Sequence, residues 1–110
     1  MLTTIITFFT GIRARVNGWS MYPTLSPGEG VLFQRYGDPA VGDIVLAKDP
    51  RDGRDLIKRI AEIDGPDAYV LLGENPESST DSREFGPVSR AALIGRAWLV
   101  YWPPRHARRL

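Results

Sequence analysis

The chain predicts a mainly β fold, a compact antiparallel barrel or sandwich, on three observations. Turn signals recur at short intervals: Gly28-Glu29-Gly30, Gly37-Asp38-Pro39, Asp52-Gly53, Asp64-Gly65-Pro66 and Gly86-Pro87. The runs between them are short and rich in Val, Ile, Leu and aromatic residues, the composition of strands. No apolar stripe of helical period runs for any length, so long helices are not expected.

Strands are expected, in order, at residues 14–18, 30–36, 42–48, 55–63, 68–72 and 94–102. The first carries Val16 and stops at Gly18. The second holds Val31-Leu32-Phe33 and is closed by Gly37-Asp38-Pro39. Gly42 opens the third, whose centre is Ile44-Val45-Leu46. Asp52-Gly53 is the turn into the fourth, in which Leu56 and Ile60 recur at even spacing, as on one face of a strand. Tyr69-Val70-Leu71 forms the fifth, and the last runs through Trp98-Leu99-Val100 to Trp102. Short helical turns are expected at residues 22–25 and 89–93. No repeat or low-complexity stretch interrupts this pattern, so residues 1–110 are expected to form one domain. Arg105, Arg108 and Arg109 make residues 105–110 a basic tail, expected to be flexible and solvated.

Composition narrows the chemistry. The 110 residues carry a formal net charge of +1, which gives no case for nucleic acid. There is no cysteine, so thiol nucleophiles, Cys-ligated zinc and disulfides are ruled out. The one histidine, His106, lies beyond Pro103-Pro104, so a Ser-His-Asp triad or a His-based metal site has no plausible centre. No metal or cofactor is expected. A serine hydrolase built from this chain needs another base, and its only lysines are Lys48 and Lys58. The apolar N-terminus, residues 1–9, is shorter than the roughly 20 residues that span a bilayer. It is expected to pack on the domain, the alternative being a patch lying on a membrane surface.

Ser20 sits in Gly18-Trp19-Ser20-Met21-Tyr22-Pro23-Thr24, between an expected strand and a turn sharpened by Pro23. Such a junction can project a nucleophile, or the serine can merely cap the turn. Neither Gly-x-Ser-x-Gly nor Ser-x-x-Lys is present. Lys58, in Leu56-Ile57-Lys58-Arg59-Ile60, would share its face with Leu56 and Ile60, while Arg59 points away. A lysine among aliphatic residues favours its neutral form. Bringing an ordinary lysine from ~10.4 to near neutrality takes roughly 4–5 kcal/mol against the cation, which burial can supply. Lys48 precedes Asp49-Pro50 at a turn and is expected to be solvated.

Four segments together resemble the signature boxes of type I signal peptidases: GWSMYPT around Ser20, Gly42-Asp43, Lys58-Arg59 and GENPESSTDSR at residues 73–83. They stand in the family's order, and the similarity runs from about Arg15 to Pro104. Among relatives, the short length and the stretch NPESSTDSREFGPV most resemble the maturation proteases of nickel-type superoxide dismutase. The resemblance implies the β catalytic core of signal peptidases, with Ser20 as nucleophile and Lys58 as base. Ser79 would orient the Lys58 amine, and Asp81 and Arg83 would form a supporting ion pair. The Ser20 backbone N–H would serve as an oxyanion donor. Some family members place a serine or threonine hydroxyl where this chain has Gly18, which leaves the second donor open. Glu74 stands where the box usually has aspartate, and a structural part is expected of it. Asn75 is expected to fix the loop near the site, a role the sequence does not settle.

The function expected is a serine endopeptidase that takes a precursor polypeptide as an extended strand and removes its N-terminal prosegment. By resemblance, the precursor is that of a nickel-type superoxide dismutase, in the cytoplasm. Two alternatives stand beside it. One is a signal peptidase peripheral on a membrane that cleaves exported proteins. The other is a catalytically silent β-barrel interaction module.

Overall fold

The computed structural model describes residues 11–78 and 80–110. Seven strands form one antiparallel sheet: β1 (Ile12–Arg15), β2 (Gly30–Arg35), β3 (Ile44–Lys48), β4 (Asp55–Ile63), β5 (Tyr69–Leu72), β6 (Leu93–Trp102) and β7 (Arg108–Arg109). Their order is β1-β2-β6-β3-β4-β5, with β7 beside β6. Among the described residues one α-helix, α1 (Ser82–Phe85), and short 3-10 turns at Pro76–Ser78, Arg90–Ala92 and Pro104–His106 fill the connections.

The long strand β6 organises the sheet. Its residues Gly95–Trp102 pair with β2, while Leu93–Arg96 pair with β3 on the other side. Where β3 leaves that edge, β7 takes it over at Leu99 and Val100. Backbones pass close at Gly95, where an added Cβ would lie 2.7 Å from the Gln34 carbonyl oxygen. Register shifts occur in the β2–β6, β3–β6 and β4–β5 pairs. Such irregularities bend and twist strands, and the bent sheet buries apolar groups in two clusters. The first contains Val16, Met21, Leu25, Val31, Phe33, Leu46 and Val100. The second contains Val45, Ala47, Ile60, Tyr69, Leu71 and Leu93.

All six expected strands are present; the fourth matches at both ends and the others have shifted ends. The first runs Ile12–Arg15 and cannot extend through Gly18, which holds φ +81. The third starts at Ile44, because Gly42 takes φ +97 and the Asp43 carboxylate closes a turn by accepting from Ala40 N–H and Tyr36 Oη. Residues 22–25 form a turn with one helical hydrogen bond, Leu25 N–H to Met21 C=O at 2.8 Å, and not a helix.

The expectation of a flexible basic tail is corrected. Arg108–Arg109 is a strand, and the Arg108 guanidinium donates to Glu29 Oε2 at 2.7 Å, Glu29 Oε1 at 3.1 Å and the Thr24 carbonyl at 2.7 Å. A buried carboxylate needs a cation, and the tail brings it. The segment at residues 73–83, composed like a loop, also gains structure. Asp81 caps α1 by accepting from Arg83 N–H. The N-terminal run, residues 1–9, lies outside the described residues.

Candidate active site

Ser20 is delivered by a turn with two fixed ends. Val16 is buried and bonded to Glu29, and its carbonyl accepts from Gly28 N–H. After Gly18 the chain turns at Trp19–Tyr22, with Tyr22 N–H donating to the Trp19 carbonyl. Met21 and Leu25 are anchored in the first core cluster, while Trp19 and Tyr22 stay exposed and pack edge-to-face. Half-buried Ser20 therefore lies at the boundary between core and surface. At Gly18 an added Cβ would meet nothing within 4 Å, so space is not the constraint. The constraint is the positive φ, which disfavours the serine or threonine that some family members carry there.

Lys58 lies on β4 opposite Val45 and is 4 % exposed. It shares a face with Ile60 of the second core cluster, as the sequence predicts. Burial pushes its amine below the ordinary lysine value; the Asp81 charge opposes the shift and Arg83 adds to it. Asp81 itself is fully buried and already compensated. It receives Arg83 Nη2 at 2.6 Å, Arg83 Nε at 3.0 Å and the N–H groups of Gly73 and Arg83. The supporting ion pair expected of Asp81 and Arg83 is thus present. Ser79 lies outside the described residues. Lys48 is exposed and pairs with Asp55, away from any core.

Ser20 and Lys58, far apart in sequence, line one cavity of about 360 Å³. Its walls are residues 13–17 on one side and 55–58 on the other, with Met21 and Leu46 between them. In sheet order β2, β6 and β3 separate β1 from β4, so only the curl of the sheet brings these walls together. Both walls offer open backbone among the described residues. β1 pairs only with β2, and β5 leaves β4 before reaching Lys58.

The structural part expected of Glu74 and the loop-fixing part expected of Asn75 take definite form in the structure. A single oxygen, Glu74 Oε1, accepts from Arg59 Nε at 2.8 Å, Arg59 Nη2 at 2.6 Å and Thr24 Oγ1 at 3.2 Å. Asn75 donates its N–H to the Ser20 carbonyl at 2.8 Å and its side-chain amide to the Trp19 carbonyl at 3.2 Å. The dipeptide therefore bridges the Ser20 turn and the neighbour of Lys58. Arg59, expected only to point away from the core, also donates Nη1 to the Gly42 carbonyl at 2.7 Å. That bond ties in the Gly42-Asp43 segment. The signal for this hub was the recurrence of these residues in the family's boxes; their mutual bonds were not readable from spacing.

The family model for signal peptidase, peptidase S26, matches residues 1–67 and 65–102. The chain belongs to the signal peptidase family. Its class of chemistry is that of a peptidase of signal-peptidase type. It is similar to mitochondrial ATP-independent inner membrane protease subunit 1a of Arabidopsis thaliana, at 35% identity over 83% of this chain and 70% of that protein. A second relative is mitochondrial inner membrane protease subunit 2 of Danio rerio, 34% identical over 88% of this chain and 67% of that protein. A third is thylakoidal processing peptidase 1 of Arabidopsis thaliana, 26% identical over 77% of this chain and 40% of that protein.

Proposed function

We propose that this chain is a serine endopeptidase with a Ser20–Lys58 dyad, which removes an N-terminal segment from a precursor polypeptide. One observation carries the proposal. Ser20 lines the same cavity as a buried lysine whose environment favours the neutral amine. The neutral Lys58 Nζ takes the proton from Ser20 Oγ as the oxygen attacks the scissile carbonyl. The proton then passes to the leaving amine, and the acyl-ester remains on Ser20. Water, deprotonated by the same lysine, attacks the ester carbonyl, and return of the proton to Ser20 Oγ releases the product acid. The developing oxyanion takes the Ser20 N–H as one donor. Ser79 orients the amine, and the Asp81–Arg83 pair keeps the third segment in place. Substrate enters as an extended strand along the open backbone of residues 13–17 and 55–58.

Ser20→Ala and Lys58→Ala should each abolish cleavage of a precursor peptide, and Lys48→Ala should retain most of it. The double variant should be little worse than either single one, since the two groups act as a unit. Full cleavage by Lys58→Ala refutes the dyad. Binding partners that are held equally well by Ser20→Ala, with no cleavage by the native chain, would favour the silent interaction module.

Two precursor classes are proposed, the first on a resemblance of sequence alone and the second on the relatives. The stretch NPESSTDSREFGPV favours the prosegment of a nickel-type superoxide dismutase, processed in the cytoplasm. The names of the relatives, inner-membrane proteases and a thylakoidal processing peptidase, favour a precursor met at a membrane surface. Among the described residues no helix is long and apolar enough to cross a membrane. Co-expression with each precursor decides between them. A shortened dismutase that stays long with Ser20→Ala supports the first, and an exported preprotein cut at its signal supports the second.

A further inference from the structure

Four ionisable residues line the cavity that holds Ser20: Arg13, Arg15, Asp55 and Lys58. Three of them are committed. Lys58 is buried in the strand face. Asp55 is held by Lys48. Arg15 donates Nη1 to the Gly28 carbonyl at 3.0 Å and lies over the Trp102 ring, 5.6 Å from its centroid. Arg13 is exposed and carries no hydrogen bond or ion pair among the described residues. It is the one uncommitted charge on the wall.

Its direction follows from the strand. Ile12 and Ala14 pack against the first core cluster, so Arg13, between them, stands on the opposite face of β1. Among the described residues β1 pairs with β2 alone, with Arg13 opposite Leu32, and its other edge is open. A polypeptide added along that edge would set every second side chain on the Arg13 face. The one directly opposite would have its Cβ about 5 Å away. We propose that Arg13 is a specificity-determining residue, which selects precursor segments carrying an aspartate or glutamate at the position opposite it. The proposal rests on the substrate lying as a strand in this cavity, as in the function proposed above. It adds a charge requirement to a cavity that the apolar Met21 and Leu46 also line.

The test separates the two. Short alanine-rich peptides carrying a single Glu, Gln or Lys, scanned position by position, are measured for binding to the full chain with Ser20→Ala. Cleavage of the same series by the native chain is followed in parallel. At one position the Glu peptide should bind roughly three- to five-fold more tightly than its Gln counterpart, the scale of one exposed cross-strand charge pair. The Lys peptide should bind more weakly than Gln there. Arg13→Gln should flatten this order and Arg13→Glu should invert it, while Arg15→Gln should leave it intact. Raising the salt should shrink the preference. Equal binding of Glu and Gln peptides at every position overturns the proposal, as does a Glu preference that survives in Arg13→Glu, or no binding of any peptide. Cleavage by the native chain without charge preference overturns the role of Arg13 and leaves the peptidase standing. A charge preference in binding with no cleavage of any peptide supports Arg13 and overturns the peptidase.

Discussion

Replacing Arg108 by alanine should destabilise the protein by about 2 kcal/mol at neutral pH, and the loss should fade in acid. The Glu29 carboxylate is 3 % exposed and is held at about 2 against an ordinary 4.5, with Arg108 as the main cause and Ser26 N–H and His106 assisting. At ~1.36 kcal/mol per pH unit, that displacement is worth about 3 kcal/mol. The partners Arg108 and His106 are 38% and 40% exposed, so solvent screens part of it. That lowers the expected figure to about 2 kcal/mol. A carboxyl whose folded value is depressed stabilises the fold above its unfolded value. The contribution disappears as pH falls from about 4.5 toward about 2. Urea unfolding followed by tryptophan fluorescence reads this directly. With a slope of roughly 1 kcal/mol per M for a chain of this size, the midpoint at pH 7 should fall by about 2 M. The gap to the native chain should narrow at pH 4 and again at pH 3. In a background of Glu29→Gln, removing Arg108 should matter far less, because the two residues share one interaction. An unchanged midpoint at pH 7, or a deficit of equal size at pH 7 and pH 3, would refute this account. Because Arg108 also holds the Thr24 carbonyl, the variant should process its precursor more slowly as well.

Lys58→Met should be inactive yet more stable at neutral pH, by about 1.4 kcal/mol for each pH unit by which burial lowers the lysine. The unfolded chain binds the lysine proton more readily than the folded one. Native stability should therefore rise with pH up to the ordinary lysine value, and the Met variant should lack that rise in unfolding measurements. The acylation rate of the native chain should increase with pH through a group that titrates below an ordinary lysine. Glu74→Gln removes a charge received by Arg59 and Thr24. Both ion-pair partners are partly exposed, so a stability loss of about 1 kcal/mol is expected, with kcat falling more than KM changes if the hub positions the dyad. Gly18→Ser, which restores the hydroxyl of some relatives, should lose roughly 1–2 kcal/mol because φ +81 is strained for any side chain. A thermal melt unchanged from the native one would contradict this.

The amino-acid sequence determined the fold class, the approximate place of six strands, and the inward face of Lys58. These follow from local physics: turn residues, apolar runs, and the period-two alternation that places Leu56, Lys58 and Ile60 on one side. The absence of cysteine and the placement of the single histidine leave lysine as the base that a serine hydrolase built from this chain would need. Tertiary structure decided what depends on distant neighbours. The stretch at residues 105–109 is charged and reads as solvated, but Arg108 is drawn down because Glu29, on the other side of the sheet's longest strand, is buried and requires a cation. Residues 73–83 read as a loop, yet Glu74 and Asn75 find Arg59, Thr24 and Ser20, and Asp81 finds Arg83 and Gly73. Spacing along the chain carries no record of which backbone amide or guanidinium will arrive beside a given carboxylate. The cavity itself is of this second kind. Its two walls are separated by three intervening strands, and only the curvature of the whole sheet, set by register shifts and close approaches such as Gly95, brings Ser20 and Lys58 to the lining of one cavity.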